Sequence, residues 1–400
     1  MWSRIAFSCP GGYRPTYLSG CASTLIVLFI GIVFLQPSHG AQFGGTDGSV
    51  SAEDGDLTLS AAAPWAEDCP AQSDETTCAT CDPTRDCEGR RYFFADALAW
   101  TVREGAAENW AQVITPQQAL WTNISTATVV DAPFDWSAGL RVGVGVQRND
   151  GFDMTLYYTN FHTAATSRAS GEVYSAFMGN FYVDNTDGSD YGPHYHHASI
   201  AWDFDFHAID FEIGRNLAVG ENFELRPFVG LKTAFINQTI KSQWRDPIDT
   251  LGGTVPHSYT FTSATEDMNL GFWGIGPSLG ATMTMPLCRE DRYSLELFGT
   301  PSGALMFGHW KFDEQYTNDQ APTPTSITID MSPITGAATM FRGVVGLEWR
   351  QQFCRATSAV RLGYEAQLWL NQMQFYSYNI GRLNNVTSLQ GGFLEWQLNF

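Results

Sequence analysis

The chain has 400 residues, of which only 16% are charged and 14% aromatic, and it carries a formal charge of -20 at pH 7. That acidity excludes nucleic-acid binding, because a phosphate backbone needs a basic partner surface. Mean hydropathy is slightly negative, which excludes a bundle of membrane helices, each needing about 20 apolar residues in a row.

The one sustained apolar run, Thr24 to Leu35, is short for a span. Arg4 and Arg14 precede it, and small residues at Ser38-His39-Gly40 follow. Residues 1-40 read as an export signal cleaved before Ala41. Leu18-Ser19-Gly20-Cys21 imitates a lipoprotein acylation box, but its apolar run follows the cysteine instead of preceding it. Residues 41-90 hold eleven Asp or Glu against Arg85 and Arg90, with no apolar periodicity. A disordered, acidic periplasmic extension is expected there.

Loss of the signal removes Cys9 and Cys21 and leaves six cysteines in an oxidising compartment. Cys69, Cys78, Cys81 and Cys87 fall in the extension. Cys78-x-x-Cys81 lacks the second CxxC or paired histidines of a zinc site. Structural disulfides, or cross-links to a neighbour, are the expectation, with no metal and no cofactor. His194-Tyr195-His196-His197 alternates sides on a strand, and Asp184-Asn185-Thr186-Asp187-Gly188-Ser189-Asp190 lacks the distal Glu of a calcium loop. At most two of the three histidines could therefore share a metal, and an acidic, solvated outer loop explains the second stretch.

From residue 91 to residue 400 the chain breaks into period-two stretches rich in Val, Phe, Tyr and Trp. Ten strands are predicted, at 92-102, 136-148, 151-162, 199-215, 222-238, 268-285, 292-307, 339-352, 358-373 and 391-400. A further hairpin within Trp110-Val130 or Val173-Val183 would make twelve. Short links such as Asn149-Asp150-Gly151 alternate with long polar ones such as 163-198. Transmembrane barrels show this rhythm, with tight periplasmic turns and long outer loops, and an even strand number places both termini in the periplasm.

The faces agree with an all-β, antiparallel transmembrane barrel. Leu140, Val142, Val144 and Val146 alternate with Arg141, Gly143, Gly145 and Gln147. The final strand sets Leu394, Trp396, Leu398 and Phe400 against Glu395, Gln397 and Asn399. Its terminal Phe400 resembles the signal read by the barrel-assembly machinery, the expected partner besides outer-membrane lipid. Trp202, Phe204 and Phe206 share one parity while Ile209, Phe211 and Ile213 take the other, which predicts a bulge near His207-Ala208. Pro227, which cannot donate to a ladder, predicts another near the rim. Trp100, Tyr158, Trp202, Trp273, Trp310, Trp349, Trp369 and Trp396 read as interfacial girdles.

Two stretches resemble the Legionella major outer-membrane-protein family of pore-forming barrels: Phe134-Asp135-Trp136-Ser137-Ala138-Gly139-Leu140-Arg141-Val142-Gly143, and Asp210-Phe211-Glu212-Ile213-Gly214-Arg215 continuing into Leu225-Arg226-Pro227-Phe228-Val229-Gly230. The resemblance covers about residues 91-400 and implies an outer-membrane barrel with pore-forming activity and no catalytic site. The four-cysteine extension departs from the compact members of that family. Asp210, Glu212, Arg215 and Arg226 are expected to form an inward ion-pair network beside a short turn.

The expected function is passive diffusion of small hydrophilic solutes, with a homo-oligomer open as an option. Candidate pore-lining residues are Arg141, Asp203, Asp205, Lys232, Arg342, Glu348, Arg350, Arg361 and Glu365, whose mixed signs argue against strong ion selectivity. Eight strands leave an interior filled by side chains and sixteen enclose a channel. Ten therefore allow a narrow lumen, and an inward Trp369 or Phe228 would close it. The alternative is a structural envelope anchor or an adhesin, with a closed barrel cross-linked through its N-terminal cysteines. No enzyme activity is expected, since no His-Glu-x-x-His motif appears. Cys288 and Cys354, in successive short turns, are expected to pair across the rim.

Overall fold

The computed structural model describes residues 90-400 except 120-121, 177-193, 221, 249-260, 291, 354-355 and 378-380. The expected signal, residues 41-89 with Cys69, Cys78, Cys81 and Cys87, the Asp184-Asp190 stretch and Cys354 therefore lie outside the described residues. The strands in chain order begin with β1 (Arg90–Arg103), β2 (Asn109–Ala119), β3 (Thr122–Asp131), β4 (Ser137–Gln147), β5 (Phe152–Ser175) and β6 (His194–Arg215). The two-residue β7 (Leu217–Ala218) precedes β8 (Glu224–Ile248), β9 (Ser263–Arg289) and β10 (Tyr293–Asn318). Then come β11 (Ser326–Gln352), β12 (Thr357–Ser377) and β13 (Gly381–Asn399).

Ten of them close a ring of antiparallel neighbours, β1-β4-β5-β6-β8-β9-β10-β11-β12-β13, and β13 returns to β1 through Tyr92↔Asn399 to Arg103↔Ser388. Closure removes every free edge from the ring. The hairpin β2-β3 does exist, but it stands outside the ring and joins β5 along Ala111–Ile114 only. The ring strands are ten, as predicted; the extra hairpin of the twelve-strand alternative forms within Trp110-Val130 but stays outside the ring.

Most strands run further toward the long-loop end than the sequence pattern suggested. Crossing a bilayer takes about 9–11 residues of tilted strand, whereas β5 has 24, β8 has 25 and β9 has 27. The reason is an inversion along the wall. Near the short turns the outward residues are apolar: Leu140, Val142, Val144, Met154, Leu156, Ile213, Val229, Leu231, Leu362 and Leu394 are all exposed. Toward the long loops the outward residues are polar, among them His162, Thr166, Arg168, Asp203 and Lys241, and the apolar residues turn inward.

The predicted bulge at His207-Ala208 is therefore wrong. Pairing is continuous there, from Asn160↔His207 to Thr159↔Ala208 on one side and His207↔Phe235 to Ala208↔Ala234 on the other. Parity is kept from Ala198 to Gly214, with every even residue inside. What changes at this point is the medium, not the register. Pro227 also needs no bulge. It pairs with Ala281 of β9 in unbroken register, one residue beyond the last β6 pair at Gly214↔Phe228.

Small residues make room inside. A side chain at Gly143 would collide with Phe94 and Tyr157, and one at Gly145 with Tyr92. The glycines of β4 thus let large neighbours lie across the lumen. At the long-loop end, Asp319 ties two connections together by accepting from the backbone N–H groups of Thr262 and Ser263 at 2.7 and 2.8 Å, and from both hydroxyls.

Candidate functional site: the barrel lumen

The lumen has three levels. At the short-turn end a polar vestibule of about 390 Å³ is lined by Tyr92, Thr155, Thr282, Thr300, Gln397 and paired charges. Arg226 bonds Asp153 through Nε at 2.8 Å and reaches Glu212 at 3.3 Å. Arg361 bridges Glu348 and Glu395, and Arg350 bridges Glu348 and Glu296. Cross-strand pairs of this kind fix register while leaving the vestibule wet.

Above the vestibule lies a layer of buried ion pairs. Arg141 donates to Asp96 Oδ2 at 3.0 Å, to Glu365 at 3.0 Å and to Thr159 Oγ1 at 3.1 Å. Arg342 donates to the same Glu365 at 2.7 and 3.0 Å. The carboxylates of Asp96 and Glu365 have no exposure at all, and Arg141 has 6%. Tyr157 donates to Glu212 at 2.8 Å, and Lys232 holds Asp210 at 2.7 Å. Such geometry is needed for buried charge, since an ion without a partner in this setting costs several kcal/mol or roughly that order.

The third level is aromatic. Trp100 lies 5.7 Å from Phe161, Trp369 lies 5.6 Å from Phe206, and Phe272 lies 5.0 Å from Trp310. Phe134 packs on Trp202, and Trp110 on Trp244. The indole N–H groups of Trp369, Trp202 and Trp310 donate to Gln367, Gln238 and the Gln372 carbonyl, as buried indoles require. Cations join the two upper levels, with Arg141 5.5 Å from the Trp100 ring and Lys232 6.0 Å from the Trp369 ring.

The structure brings together seven of the nine sequence-predicted lumen residues: Arg141, Lys232, Arg342, Glu348, Arg350, Arg361 and Glu365 all face inward in ion pairs. Asp203 and Asp205 do not join them. They occupy the outward positions of β6, and Asp205 pairs with the exposed His162 at 2.7 Å. In that outer stretch the interior belongs to Trp202, Phe204 and Phe206. Arg215 also points outward, onto Phe152. The girdle assignment holds for Tyr158, Trp273, Trp349 and Trp396, which are exposed, and fails for Trp100, Trp202, Trp310 and Trp369, which are buried inside. Asp96 and Tyr157 were missed; the signal for Asp96 was its place opposite Arg141, and for Tyr157 its place opposite the inward Gly143.

Gly276-Pro277-Ser278-Leu279-Gly280 matches a nucleophile-elbow sequence, but it runs inside the continuous strand β9, paired on both sides. The strand-to-helix turn that would expose the hydroxyl is missing from this stretch.

Comparison with known proteins follows from this geometry. The family described as Legionella pneumophila major outer membrane protein precursor matches residues 86–400. No curated protein sequence matches the chain. Among solved structures, the outer membrane protease OmpT of Escherichia coli is 11% identical, covering 78% of this chain and 96% of that one, at a TM-score of 0.34. A FadL homologue of Pseudomonas aeruginosa is 9% identical, covering 78% and 90%, at 0.25. The toluene transporter TodX of Pseudomonas putida is 7% identical, covering 78% and 90%, at 0.24. Likenesses this distant say nothing of activity. The match over residues 86–400 is of a different order, and the chain belongs to the Legionella pneumophila major outer membrane protein family, as an outer-membrane β-barrel.

Proposed function

We propose that this protein is a closed-lumen barrel of the outer membrane, an integral structural element that carries its long-loop half above the bilayer. The observation that supports this reading is the double closure of the lumen, first by Arg141, Arg342, Asp96 and Glu365, then by Trp100, Phe206 and Trp369. Either layer alone leaves little room for a hydrated solute. The short turns and both ends of the ring face the periplasm in this reading, and the exposed apolar belt meets lipid. No reaction is assigned to it. Phe400, exposed at the end of β13, stays available to the assembly machinery.

Passive diffusion of small hydrophilic solutes is the second reading. It is favoured by the polar vestibule, which carries water-sized space from the short-turn end up to Arg141 and Arg342. Single-channel recording of the refolded protein in planar bilayers separates the two. A folded, heat-modifiable barrel that stays silent in molar salt is the expected result. Stepwise currents that scale with salt would replace the structural reading with the diffusion pore.

The rim chemistry belongs to the same proposal. Cys288 is disulfide-bonded, and Cys354, in the neighbouring short turn, is its proposed partner. The bridge would tie the β9-β10 turn to the β11-β12 turn. Peptide mapping without reductant should recover the two cysteines in one linked pair; finding Cys288 linked to Cys69, Cys78, Cys81 or Cys87 would point to the cross-linked anchor instead.

A further inference from the structure

Immediately after β1 the chain turns inward. Glu104 is fully buried, and its two carboxylate oxygens accept from Gln238 Nε2 at 2.9 Å and Thr387 Oγ1 at 2.8 Å. Gln238 comes from β8, four places round the ring from β1, and Thr387 comes from β13. The Glu104 carbonyl accepts from Asn385, and Gly105 takes a positive φ of 57° where a side chain would strike that same Asn385. The short 3-10 turn Gly105–Glu108 follows, and Trp110 is then packed at 5.6 Å on Trp244. These contacts pull the start of the β2-β3 hairpin down onto the aromatic level.

Every donor to the Glu104 carboxylate is neutral. The charged groups that face it come from its own segment: Glu108, whose carboxylate accepts from the Glu104 N–H at 3.0 Å, and Arg103, which is half exposed and pairs with Glu108 at 3.2 Å. Asp131, at the end of β3, adds further negative charge near Glu108. Among the described residues, β8 and β13 contribute Gln238, Thr387 and Asn385. A buried carboxylate in such surroundings is held far more easily neutral than ionised. The site also lies beyond the apolar belt, since the outward neighbours of Gln238 are Asn237 and Thr239, above Phe235.

We propose that Glu104–Glu108 is a strap closed across the outer half of the lumen by a proton held on the Glu104 carboxyl, and released when that proton leaves. Burial, aided by Glu108 and opposed by the bonds from Thr387 and Gln238, pushes this carboxyl up to about 8. When the strap lifts, Glu104 meets water and returns to the ordinary carboxylate range. The closed state therefore binds one more proton than the open state between the ordinary value and about 8. Closure is firmest in acid and is lost as pH rises through that window, with the open-to-closed ratio growing about tenfold per pH unit.

The test is a pulsed electron-resonance distance measurement on the full refolded chain, with nitroxides at Val129 of β3 and Gln315 of β10, both exposed. From pH 5 to 9 the wild type should pass from one short distance to a mixture dominated by longer ones. Glu104→Gln, which mimics the protonated group, should keep the short distance throughout. A wild type with one distance across the whole range overturns the proposal, and that result stands even if the variant fails to fold. So does a Glu104→Gln barrel that titrates like the wild type, which would move the titration to the buried Glu266 and Glu314 of β9 and β10.

Discussion

Arg141→Met lowers the stability of the folded barrel by about 3–5 kcal/mol, read as an earlier urea midpoint in refolding titrations with lipid vesicles. Methionine fills most of the arginine's volume, so little of this loss comes from packing. It comes from Asp96, whose one side-chain partner among the described residues is Arg141, and from Glu365, which keeps Arg342 but loses half its compensation. Asp96 sits with one oxygen unpaired even in the intact protein, so its burial depends on Arg141 alone. Pairing the change with Asp96→Asn should recover a large part of the loss, because the stranded charge is then gone. A single-variant loss within about 0.5 kcal/mol, the ordinary range for surface changes, would mean the layer is hydrated and the lumen is open at this level.

Trp369→Ala costs about 3–5 kcal/mol as well, for a different reason. The indole is fully buried, lies edge-on to Phe206, covers Lys232 and donates to Gln367. Its removal leaves a void that strands held in a closed ring cannot collapse to fill. The same urea titration reads the loss. Bilayer recordings of this variant should remain silent, because the arginine–carboxylate layer beneath is untouched. Current through Trp369→Ala alone would make the aromatic level the sole closure and return the barrel to the diffusion-pore reading.

Much of the fold was legible from residue alternation and link lengths. The ten ring strands, the short turns and the inward set Arg141, Arg342, Glu348, Arg361 and Glu365 all follow from a period of two with one apolar face. The misreadings share one physical cause. Alternation tells which residues lie on the same side of a strand; it does not tell which side is the lumen. Near the short turns apolar means outward, and toward the long loops apolar means inward. Trp202 and Asp203 are therefore exchanged, as is the side of Trp100 and Trp310, whereas Trp369, expected either in a girdle or inward, lies inward. The switch is visible in the sequence as the run from Trp202 to Ile213, where aromatic-aspartate alternation gives way to aspartate-aromatic. A bulge and a change of medium leave the same trace there, and only the paired register of β5, β6 and β8 separates them. The Glu104 strap left no periodic trace at all, since its contacts are made to strands more than a hundred residues away.

The inverted wall divides the thermodynamics of the molecule between two solvents. Side chains of the apolar belt rest against hydrocarbon and gain little from the aversion of water to apolar surface. Trp110, Trp202, Trp244, Phe204 and Phe312 are shielded from water itself, inside the half that projects beyond the belt. Exposing them gives the positive heat-capacity change that marks hydration of apolar surface. The calorimetric signature of this membrane protein is therefore written mainly by its part outside the membrane, which melts as a water-soluble barrel does while its lower half answers to the lipid.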